Sequence, residues 1–255
     1  MKLSIVIPLF NEVGNVGRIQ REMLPVLKQL AALHQVEVIF VDDGSTDGTC
    51  SAIANSFILD SDPRLRSYIA RHRHNRGVGA AIRTGFALSS GDIIVTSDSD
   101  GSYEFGEIPK LVLYLDQGMD VVTASPYHRE GRVEGIPVHR LLLSRGCSLV
   151  YRLLVDRRIR TYTSLFRAYR RSVIENVSFE SDGYHAMAEL LVKAILKGYR
   201  ATECPAVLRK RTIGTSKAQL TRTLLDHLRF QGSVLLYHMK LKPLIRRVEE
   251  TRATP

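Results

Sequence analysis

The 255-residue sequence has no tryptophan and only three cysteines, and none of its apolar runs approaches the length of a membrane-spanning helix. Cys50, Cys147 and Cys204 lie far apart and form no Cys-x-x-Cys pair. Their number and spacing argue against a disulfide framework or a structural zinc site and favour a reducing, cytoplasmic location. No basic segment with a cleavage site precedes the apolar residues 3–7, so we expect a core strand there rather than a signal peptide.

Acidic residues are outnumbered by basic ones, 26 to 36, which leaves a formal net charge of +10. Such a balance favours anionic partners, namely nucleic acid, acidic lipid headgroups or phosphorylated substrates, although a basic surface also serves solubility alone. Nucleic acid is the least favoured because no matching motif occurs and no aromatic residues interleave with the basic runs. With 44% hydrophobic residues, the chain can bury the core of one large α/β domain.

Short apolar runs alternate with segments of helical periodicity in the first half, which predicts a mainly parallel sheet with helices on both faces. The predicted strands span residues 3–10, 36–41, 65–70, 92–96 and 120–124, and the predicted helices span residues 16–33, 46–57, 79–88 and 108–115. Ser45 or Thr46 is expected to cap the second helix. Since ligands bind beyond the carboxyl ends of the strands in such sheets, Pro8, Asp42 and Asp98 should converge at one edge.

The second half is less regular. Its predicted elements are a loop at residues 129–137, a basic amphipathic helix at 139–154, a helix at 182–197, a basic loop at 209–217 and one or two amphipathic helices over 220–248. Gly198 is expected to terminate the helix at 182–197. Pro243 is expected to kink or break the last helical segment.

The acidic cluster Asp98-Ser99-Asp100 follows an apolar strand. Residues two apart in an extended segment project to the same side, so both carboxylates can approach one cation. Carboxylate oxygens suit Mg²⁺ or Mn²⁺, which share their coordination with substrate phosphates. The alternative is an ordinary acidic turn, because an Asp-x-Asp sequence alone is common.

Two polar segments follow other predicted strands. The carboxylates of residues 42–49 could accept hydrogen bonds from a nucleobase or ribose, and the same turn could cap a helix. Residues 75–81 contain Gly77 and Gly79 but lack the third glycine of a dinucleotide-binding motif and do not follow the first strand. These glycines are expected instead to let a helix N-terminus pack close to the sheet. The basic run at residues 71–74 is expected at a solvated or phosphate-facing edge.

His185 and Glu189 are four residues apart and would share a helix face. They could be metal ligands or a pair for proton transfer. Without a third ligand, a surface or groove contact is the favoured interpretation.

Together these motifs resemble family-2 glycosyltransferases with the GT-A fold, and among these the dolichol- or polyprenol-phosphate mannosyltransferases. The resemblance covers about residues 1–220 and several motifs in order. In the first half these are residues 6–12, 41–49, 75–85 and 98–100. In the second half they are residues 133–137, Arg140, residues 144–146, 166–171 and 182–184, Glu189 and residues 211–217.

The resemblance implies roles for matching positions. The nucleotide of the donor would be held by Pro8, Phe10, Glu12 and Asp42, and the metal and diphosphate by Asp98, Ser99 and Asp100. Ser102 would belong to the metal shell. Arg140, Ser144, Arg211 and Lys217 would hold phosphate groups of acceptor or donor. Transfer to a phosphate then needs positive charge and little base catalysis, because the acceptor oxygen is already anionic.

Four positions depart from the family pattern, which usually has Gln, Arg, Asp and Gly there. This sequence has Ser102, Pro126, Thr161 and Leu165. The departures fall in the metal shell and the phosphate clamp, so the sugar, the choice between GDP- and UDP-linked donor and the acceptor stay open.

The leading hypothesis is therefore an inverting, metal-dependent hexosyltransferase that acts on a polyprenyl phosphate or another phosphorylated acceptor. One alternative is an enzyme of the same fold that glycosylates a hydroxyl in polysaccharide or natural-product assembly; it would need a general base, for which Glu189, Asp182 and His185 are the candidates. Another is a non-catalytic sugar-nucleotide-binding protein, against which Asp98 and Asp100 argue.

A catalytic domain is expected over residues 1–217, with a nucleotide-sugar-binding part at 1–127 and an acceptor part at 128–217. Residues 218–255 are expected to form an amphipathic helical extension. Basic residues flank apolar ones in this extension and in the helix at 139–154, a pattern typical of interfacial helices. The chain would then contact the cytoplasmic membrane face peripherally or through a membrane partner subunit. Alternatively, the apolar residues pack on the catalytic domain.

Overall fold

A seven-stranded sheet forms the centre of the computed structural model, which describes residues 1–58, 62–211, 220–241 and 243–244. The strands are β1 Lys2–Leu9, β2 Gln35–Asp42, β3 Leu65–Arg71, β4 Ile93–Thr96, β5 Val121–Ser125, β6 Arg132–Glu134, β7 Arg167–Arg170, β8 Ala201–Pro205 and β9 Val207–Arg209. The helices are α1 Val13–Ala31, α2 Thr49–Ser56, α3 Val78–Leu88, α4 Ile108–Asp116, α5 Val138–Leu154, α6 Arg171–Asn176, α7 Ala186–Leu196 and α8 Leu220–His238.

The strands of the large sheet follow the order β3-β2-β1-β4-β7-β5-β8. All neighbours are parallel except β7, which runs antiparallel to both β4 and β5. The short strands β6 and β9 pair in parallel as a separate two-stranded sheet. The predicted mainly parallel sheet is confirmed.

The apolar strands are buried on both faces because side chains alternate along each strand. On β1, Ile5 and Ile7 pack with α1, α2 and α4, whereas Val6 packs on the opposite face with α3, α7 and α8. On β2, Phe40 and Ile39 divide between the same two faces. Helices therefore cover both sides of the sheet, as the alternation of apolar runs predicted.

Several predicted boundaries are wrong. The helix predicted from residue 46 begins at Thr49, after Gly48 with φ 89°, and neither Ser45 nor Thr46 caps it; instead Asp47 accepts the Thr49 N–H at 3.0 Å. The helix predicted from residue 182 begins at Ala186, although Gly198, with φ 90°, follows its end as expected.

The last helix, α8, ends at His238, before the predicted break at Pro243, and residues 242 and 245–248 of that prediction lie outside the described part of the chain.

Short strands were the elements missing from the prediction. The segment predicted as a loop at 129–137 contains β6, and β7, β8, β9 and α6 were not predicted. Each of these elements spans three to six residues, too few to show a clear period. In β7, Arg167 and Arg170 interrupt the apolar pattern that a buried strand normally shows.

The parallel arrangement brings the carboxyl ends of β1, β2 and β4 to one edge. Leu9 pairs in register with Asp42 at the ends of β1 and β2, while Thr96 ends β4 beside Val6. The predicted convergence of these strand ends is confirmed, and it places the polar segments that follow them around one opening.

Candidate active site

A cavity of about 980 Å³ opens at this edge of the sheet. Its walls are residues 8–10 and Glu12, the segment 75–78 before and at the start of α3, the acidic cluster 98–100, the loop 181–185 before α7, and one side of α8. Segments distant in the sequence thus contribute to one enclosure of a size that holds a ligand larger than a single sugar.

Seven predicted site residues line this cavity: Pro8, Phe10, Glu12, Asp98, Ser99, Asp100 and Arg211. Five others lie outside its lining: Asp42, Ser102, Arg140, Ser144 and Glu189. Lys217 falls outside the described residues. The residues predicted for the nucleotide and the metal are brought together more completely than those predicted for the acceptor.

Asp98 and Asp100 lie on the turn that follows β4. Burial, and then the negative charge of Asp100, raise the pKa of Asp98 to about 8. Asp100 is fixed by its Oδ1, which accepts the backbone N–H of Ser102 at 2.9 Å, and its Oδ2 lies 4.0 Å from Nη1 of Arg211. The negative charges of these two carboxylates repel each other. A cation bound between them would therefore be stabilised.

The donor set fits a divalent cation that keeps part of its shell for a ligand. Carboxylate oxygens are the ligands that Mg²⁺ and Mn²⁺ prefer. No group of three or more His, Cys, Asp or Glu side chains with metal-binding geometry occurs among the described residues, so the acidic pair would need further oxygens from a bound ligand or from water. The side chain of Ser102 does not line the cavity.

Arg211 connects the turn at residues 98–100 to Glu12, which follows β1. Its Nη2 donates to Oε1 of Glu12, whose other carboxylate oxygen accepts from Nδ2 of Asn15 at 2.6 Å. The side chains of Arg211 and Glu12 are only 16% and 7% exposed, so this ion pair is shielded from water. One guanidinium therefore lies between two acidic walls of the cavity.

Asp43, rather than Asp42, faces the cavity. Its carboxylate accepts the backbone N–H groups of Arg76 at 2.9 Å and Gly77 at 2.7 Å, and it bonds Nδ1 of His72 at 2.6 Å. Asp42 is fully buried, where Oδ1 accepts the Ser45 N–H at 3.1 Å and Oδ2 lies 3.3 Å from Nε of Arg71. The sequence contains two adjacent aspartates, Asp42 and Asp43, and adjacent residues at a strand end point in opposite directions. If one of them is buried, the other can therefore face the cavity.

The glycines before and in α3 allow a close approach, but mainly to a loop of the second half rather than to the sheet. Gly77 has φ 100°, and a Cβ atom there would lie 2.4 Å from the carbonyl oxygen of Asp182. A Cβ at Gly79 would lie 2.2 Å from the carbonyl oxygen of Ser181, and the Gly79 N–H donates to Asp182 O at 2.6 Å. The start of α3 and the loop before α7 thus meet through backbone atoms.

His185 is the N-cap residue of α7, and its carbonyl accepts the backbone N–H of Glu189 at 3.0 Å, in keeping with the predicted four-residue spacing. Both side chains are buried, so the predicted surface contact is wrong. Glu189 accepts the N–H groups of Glu180 at 3.1 Å and Ser181 at 3.0 Å and pairs with Nζ of Lys193 at 2.6 Å. Its carboxylate therefore holds the loop whose residues Asp182 and His185 line the cavity.

The predicted acceptor helix α5 packs against α8, but residues 138–154 do not line the cavity. Oγ of Ser144 shares a hydrogen bond of 2.8 Å with Oγ1 of Thr163, and Arg140 is half-buried. Of the four departures from the family pattern, Leu165 lines the cavity and Thr161 shares a hydrogen bond of 2.7 Å with Ser125.

Helix α8 contributes residues that the sequence did not indicate for the site: Arg222, Thr223, Asp226, Arg229, Phe230 and Ser233. The helix is held against α5 by hydrogen bonds from Tyr151 to Nδ1 of His227 at 3.0 Å and from Gln231 to the Cys147 carbonyl at 3.0 Å. The amphipathic pattern indicated a helix here but not which of its sides would face a ligand.

Residues 4–178 match the family model described as glycosyl transferase family 2. The chain is 34% identical over 221 residues to polyprenol monophosphomannose synthase of Mycolicibacterium smegmatis, covering 84% of this chain and 79% of that protein. It is 31% identical over 231 residues to dolichol-phosphate mannosyltransferase of Pyrococcus furiosus, covering 90% and 62%. It is 33% identical over 178 residues to undecaprenyl-phosphate 4-deoxy-4-formamido-L-arabinose transferase of Pectobacterium carotovorum, covering 68% and 50%. The chain thus spans less than two thirds of the latter two relatives.

Solved structures of glucosyl-3-phosphoglycerate synthase from Mycobacterium tuberculosis have the same fold. A complex with Mn²⁺, UDP and glucosyl-3-phosphoglycerate matches with a TM-score of 0.68 at 20% identity, covering 95% of this chain and 81% of that one. A complex with Mg²⁺ and UDP matches with a TM-score of 0.66 at 21% identity, covering 95% and 80%. At these identities the likeness extends to the fold.

Proposed function

The chain belongs to glycosyl transferase family 2 and has the GT-A fold, and on that basis we propose that it transfers a sugar from a GDP- or UDP-linked donor to a polyprenyl phosphate. The names of three relatives specify polyprenol, dolichol-phosphate or undecaprenyl-phosphate substrates, which supports this acceptor class. The observation that carries the proposal is the cavity itself, which joins an acidic pair for a metal diphosphate to Arg211, a cation suited to an anionic acceptor.

The proposal includes dependence on Mg²⁺ or Mn²⁺, held by Asp98 and Asp100. The bound cation would stabilise the negative charge of the leaving diphosphate. The raised pKa of Asp98 supports a site that is completed by positive charge. The Mycobacterium tuberculosis enzyme of the same fold was solved with Mn²⁺ or Mg²⁺ and UDP.

The side chains of this protein would contribute by orienting the donor and by neutralising its charge and that of the acceptor. Pro8, Phe10 and Glu12 would line the nucleotide end, and Asp43 would hold the backbone at Arg76 and Gly77 against it. Arg211 would neutralise charge between donor and acceptor phosphates. A phosphate acceptor brings its own anionic oxygen, so Glu189 can remain engaged with the loop N–H groups instead of serving as a base.

Transfer by a single displacement would invert the anomeric centre, so that an α-linked donor gives a β-linked product. The anomeric coupling constant of the purified product, or a β-specific glycosidase where coupling is uninformative, tests this. An α-linked product would contradict the proposal.

We also propose peripheral contact with the cytoplasmic face of a membrane. No helix in the described residues has both the length and the apolar character needed to cross a bilayer. Helices α5 and α8 nevertheless expose neighbouring large apolar side chains, namely Leu142, Leu149 and Leu153 on α5 and Leu225, Leu228, Leu235 and Leu236 on α8. Basic residues beside such surfaces favour anionic bilayers, and a membrane partner subunit could add to the attachment.

The decisive experiment offers radiolabelled GDP- and UDP-sugars with Mg²⁺ or Mn²⁺ and polyprenyl phosphate as acceptor. We expect label in the lipid phase with one donor and none without the divalent cation. Neutral polyprenol is the matched acceptor control. Transfer to a soluble hydroxyl acceptor, lost in Asp182→Asn, would instead support the hydroxyl alternative, because Asp182 lines the cavity and its side chain is 61% exposed.

A further inference from the structure

Helix α8 presents three chemically different sides, and one of them faces the cavity. Residues 222, 226, 229 and 233 follow one another at intervals of four, three and four, so they form a single stripe at 100° per residue. The side chains of this stripe that carry charge are Arg222, Asp226 and Arg229, all of which line the cavity. Along the helix axis the two arginines are about 10 Å apart.

The rotation of α8 about its axis is fixed by its buried side. His227, Phe230, Gln231 and Val234 are at most 9% exposed, and His227 and Gln231 make hydrogen bonds to α5. The third side carries Leu225 and Leu236, which are 52% and 39% exposed. Around the helix these two leucines lie next to the arginine stripe, so cationic and apolar surfaces adjoin along its length.

We propose that Arg222 and Arg229 form a subsite that binds the phosphate of the acceptor while its prenyl chain follows the apolar side at Leu225 and Leu236. The inference rests on the proposed function and adds to it residues beyond those suggested by family resemblance. An amphiphilic anion fits this geometry, since its charged head and its hydrocarbon chain meet adjoining sides of one helix. The residues proposed for the nucleotide end, 8–10 and Glu12, and also Asp43 and residues 75–77, belong to other walls of the cavity.

Asp226 tunes the affinity of this subsite. Its Oδ1 lies 3.7 Å from Nη1 of Arg229, whose side chain is 79% exposed, so the pair is weak and solvated. A bound phosphate would compete with the Asp226 carboxylate for the same cation and would be repelled by its charge. Removing that charge should therefore strengthen acceptor binding, which a purely structural role of α8 would not produce.

The test measures steady-state transfer to citronellyl phosphate, a short water-soluble prenyl phosphate. The donor is the GDP- or UDP-sugar that gives transfer in the radiolabel experiment. Arg222→Gln and Arg229→Gln should each raise the acceptor KM about tenfold, the loss expected for one charge-assisted contact. Asp226→Asn should lower the acceptor KM, and the donor KM should stay within about twofold for all three. Lys240→Gln, an exposed cation beyond the end of α8 and outside the cavity lining, is the matched control and should change neither constant.

The outcomes separate this inference from the proposed function. Unchanged acceptor KM in both arginine variants, with transfer intact, would overturn the subsite and leave the function standing. If the wild type transfers nothing to prenyl phosphates, the function fails, and calorimetric titration with citronellyl phosphate against citronellol decides the anion site by itself. If the wild type binds citronellyl phosphate but not citronellol, and both variants lose this binding, the site is supported. Equal binding of citronellyl phosphate by the wild type and the variants would overturn it.

Anionic lipid headgroups carry the same phosphate chemistry. Vesicles of phosphatidylglycerol without prenyl phosphate distinguish this source. If Arg222→Gln and Arg229→Gln lose vesicle binding but keep the acceptor KM for citronellyl phosphate, the arginines bind headgroups and the acceptor subsite is wrong. Unchanged vesicle binding with a raised acceptor KM supports it.

Discussion

The carboxylate of Asp43 accepts the backbone N–H of Gly77 at 2.7 Å, which ties the end of β2 to the entry of α3. The same carboxylate bonds Arg76 N and His72, so it organises a wall of the cavity.

Asp43→Asn would replace one acceptor oxygen by an NH₂ group that faces an N–H donor. We expect a rise in the donor KM of at least tenfold, with an unchanged acceptor KM. Asp116→Asn, at an exposed position, is the control; equal donor KM in both variants would contradict this role.

Asp98 and Asp100 should be required for transfer. Alanine at either position removes a proposed cation ligand and should lower kcat by three orders of magnitude or more, because several kcal/mol of barrier depend on stabilising the diphosphate. Circular dichroism should show an intact fold, since the two residues follow β4 rather than belonging to it. Near-full activity of either variant in EDTA would refute the metal role.

Asp98 should also make the metal-free protein less stable as pH rises. Its pKa is raised to about 8 in the folded state by burial and by Asp100, above the ordinary value of 3.8. The folded protein therefore retains a proton that the unfolded chain loses, so stability is greatest below pH 3.8 for this group and declines up to about pH 8. Asp98→Asn should thus raise Tm by about 2–8 °C at pH 8 and by less at pH 5, in thermal melts without metal. Mg²⁺ or Mn²⁺ should raise the Tm of the wild type alone. A lower Tm for Asp98→Asn at pH 8 would show that the carboxylate stabilises the fold instead.

The sequence predicts best the strands that are mostly apolar and alternate with helical segments. The strands at or just before Pro8, Asp42 and Asp98 have this pattern, so their order and their common edge could be predicted. Which side chains reach this edge of the sheet depends on the local turn. The sequence therefore favoured Asp42 for the nucleotide, whereas in the structure Asp43 faces the cavity. The arginine stripe of α8 depends on how that helix packs against α5, a tertiary contact that periodicity alone does not specify.

Arg167 should be among the most sensitive residues of the fold. Its guanidinium is fully buried and donates to Oγ1 of Thr123 at 3.0 Å, to the carbonyl of Tyr162 at 2.6 Å and to the carbonyl of Met187. Burial lowers the pKa of this arginine, which nevertheless stays charged. Lysine cannot donate in three fixed directions, so Arg167→Lys should reduce the free energy of unfolding by about 2–4 kcal/mol in urea. Exposed Arg158→Lys should cost less than about 1 kcal/mol, and equal midpoints would contradict the assignment.

Vesicle co-sedimentation should reveal the membrane face. We expect binding to anionic vesicles, none to neutral ones, and a loss of binding as salt rises, because surface cations contribute through a screened field. Leu149→Glu on α5 and Leu228→Glu on α8 should each weaken binding severalfold by placing a charge on the apolar surface. Leu113→Glu is matched in exposure but lies on α4, on the other side of the sheet, and should bind like the wild type. If all three variants bind alike, these helices do not form the contact, and absence of any wild-type binding would favour a soluble acceptor.

Strand β7 comes from the second half of the chain but lies between β4 and β5 of the first half. Without it, β4 and β5 would be separated by a gap of two strand spacings, about 10 Å, and both would present unpaired backbone groups inside the sheet. The parts of the chain before and after residue 127 are therefore interleaved in one hydrogen-bonded sheet. Fragments cut near residue 127 should therefore not fold independently, because each would lack strands that the other supplies to the middle of this sheet.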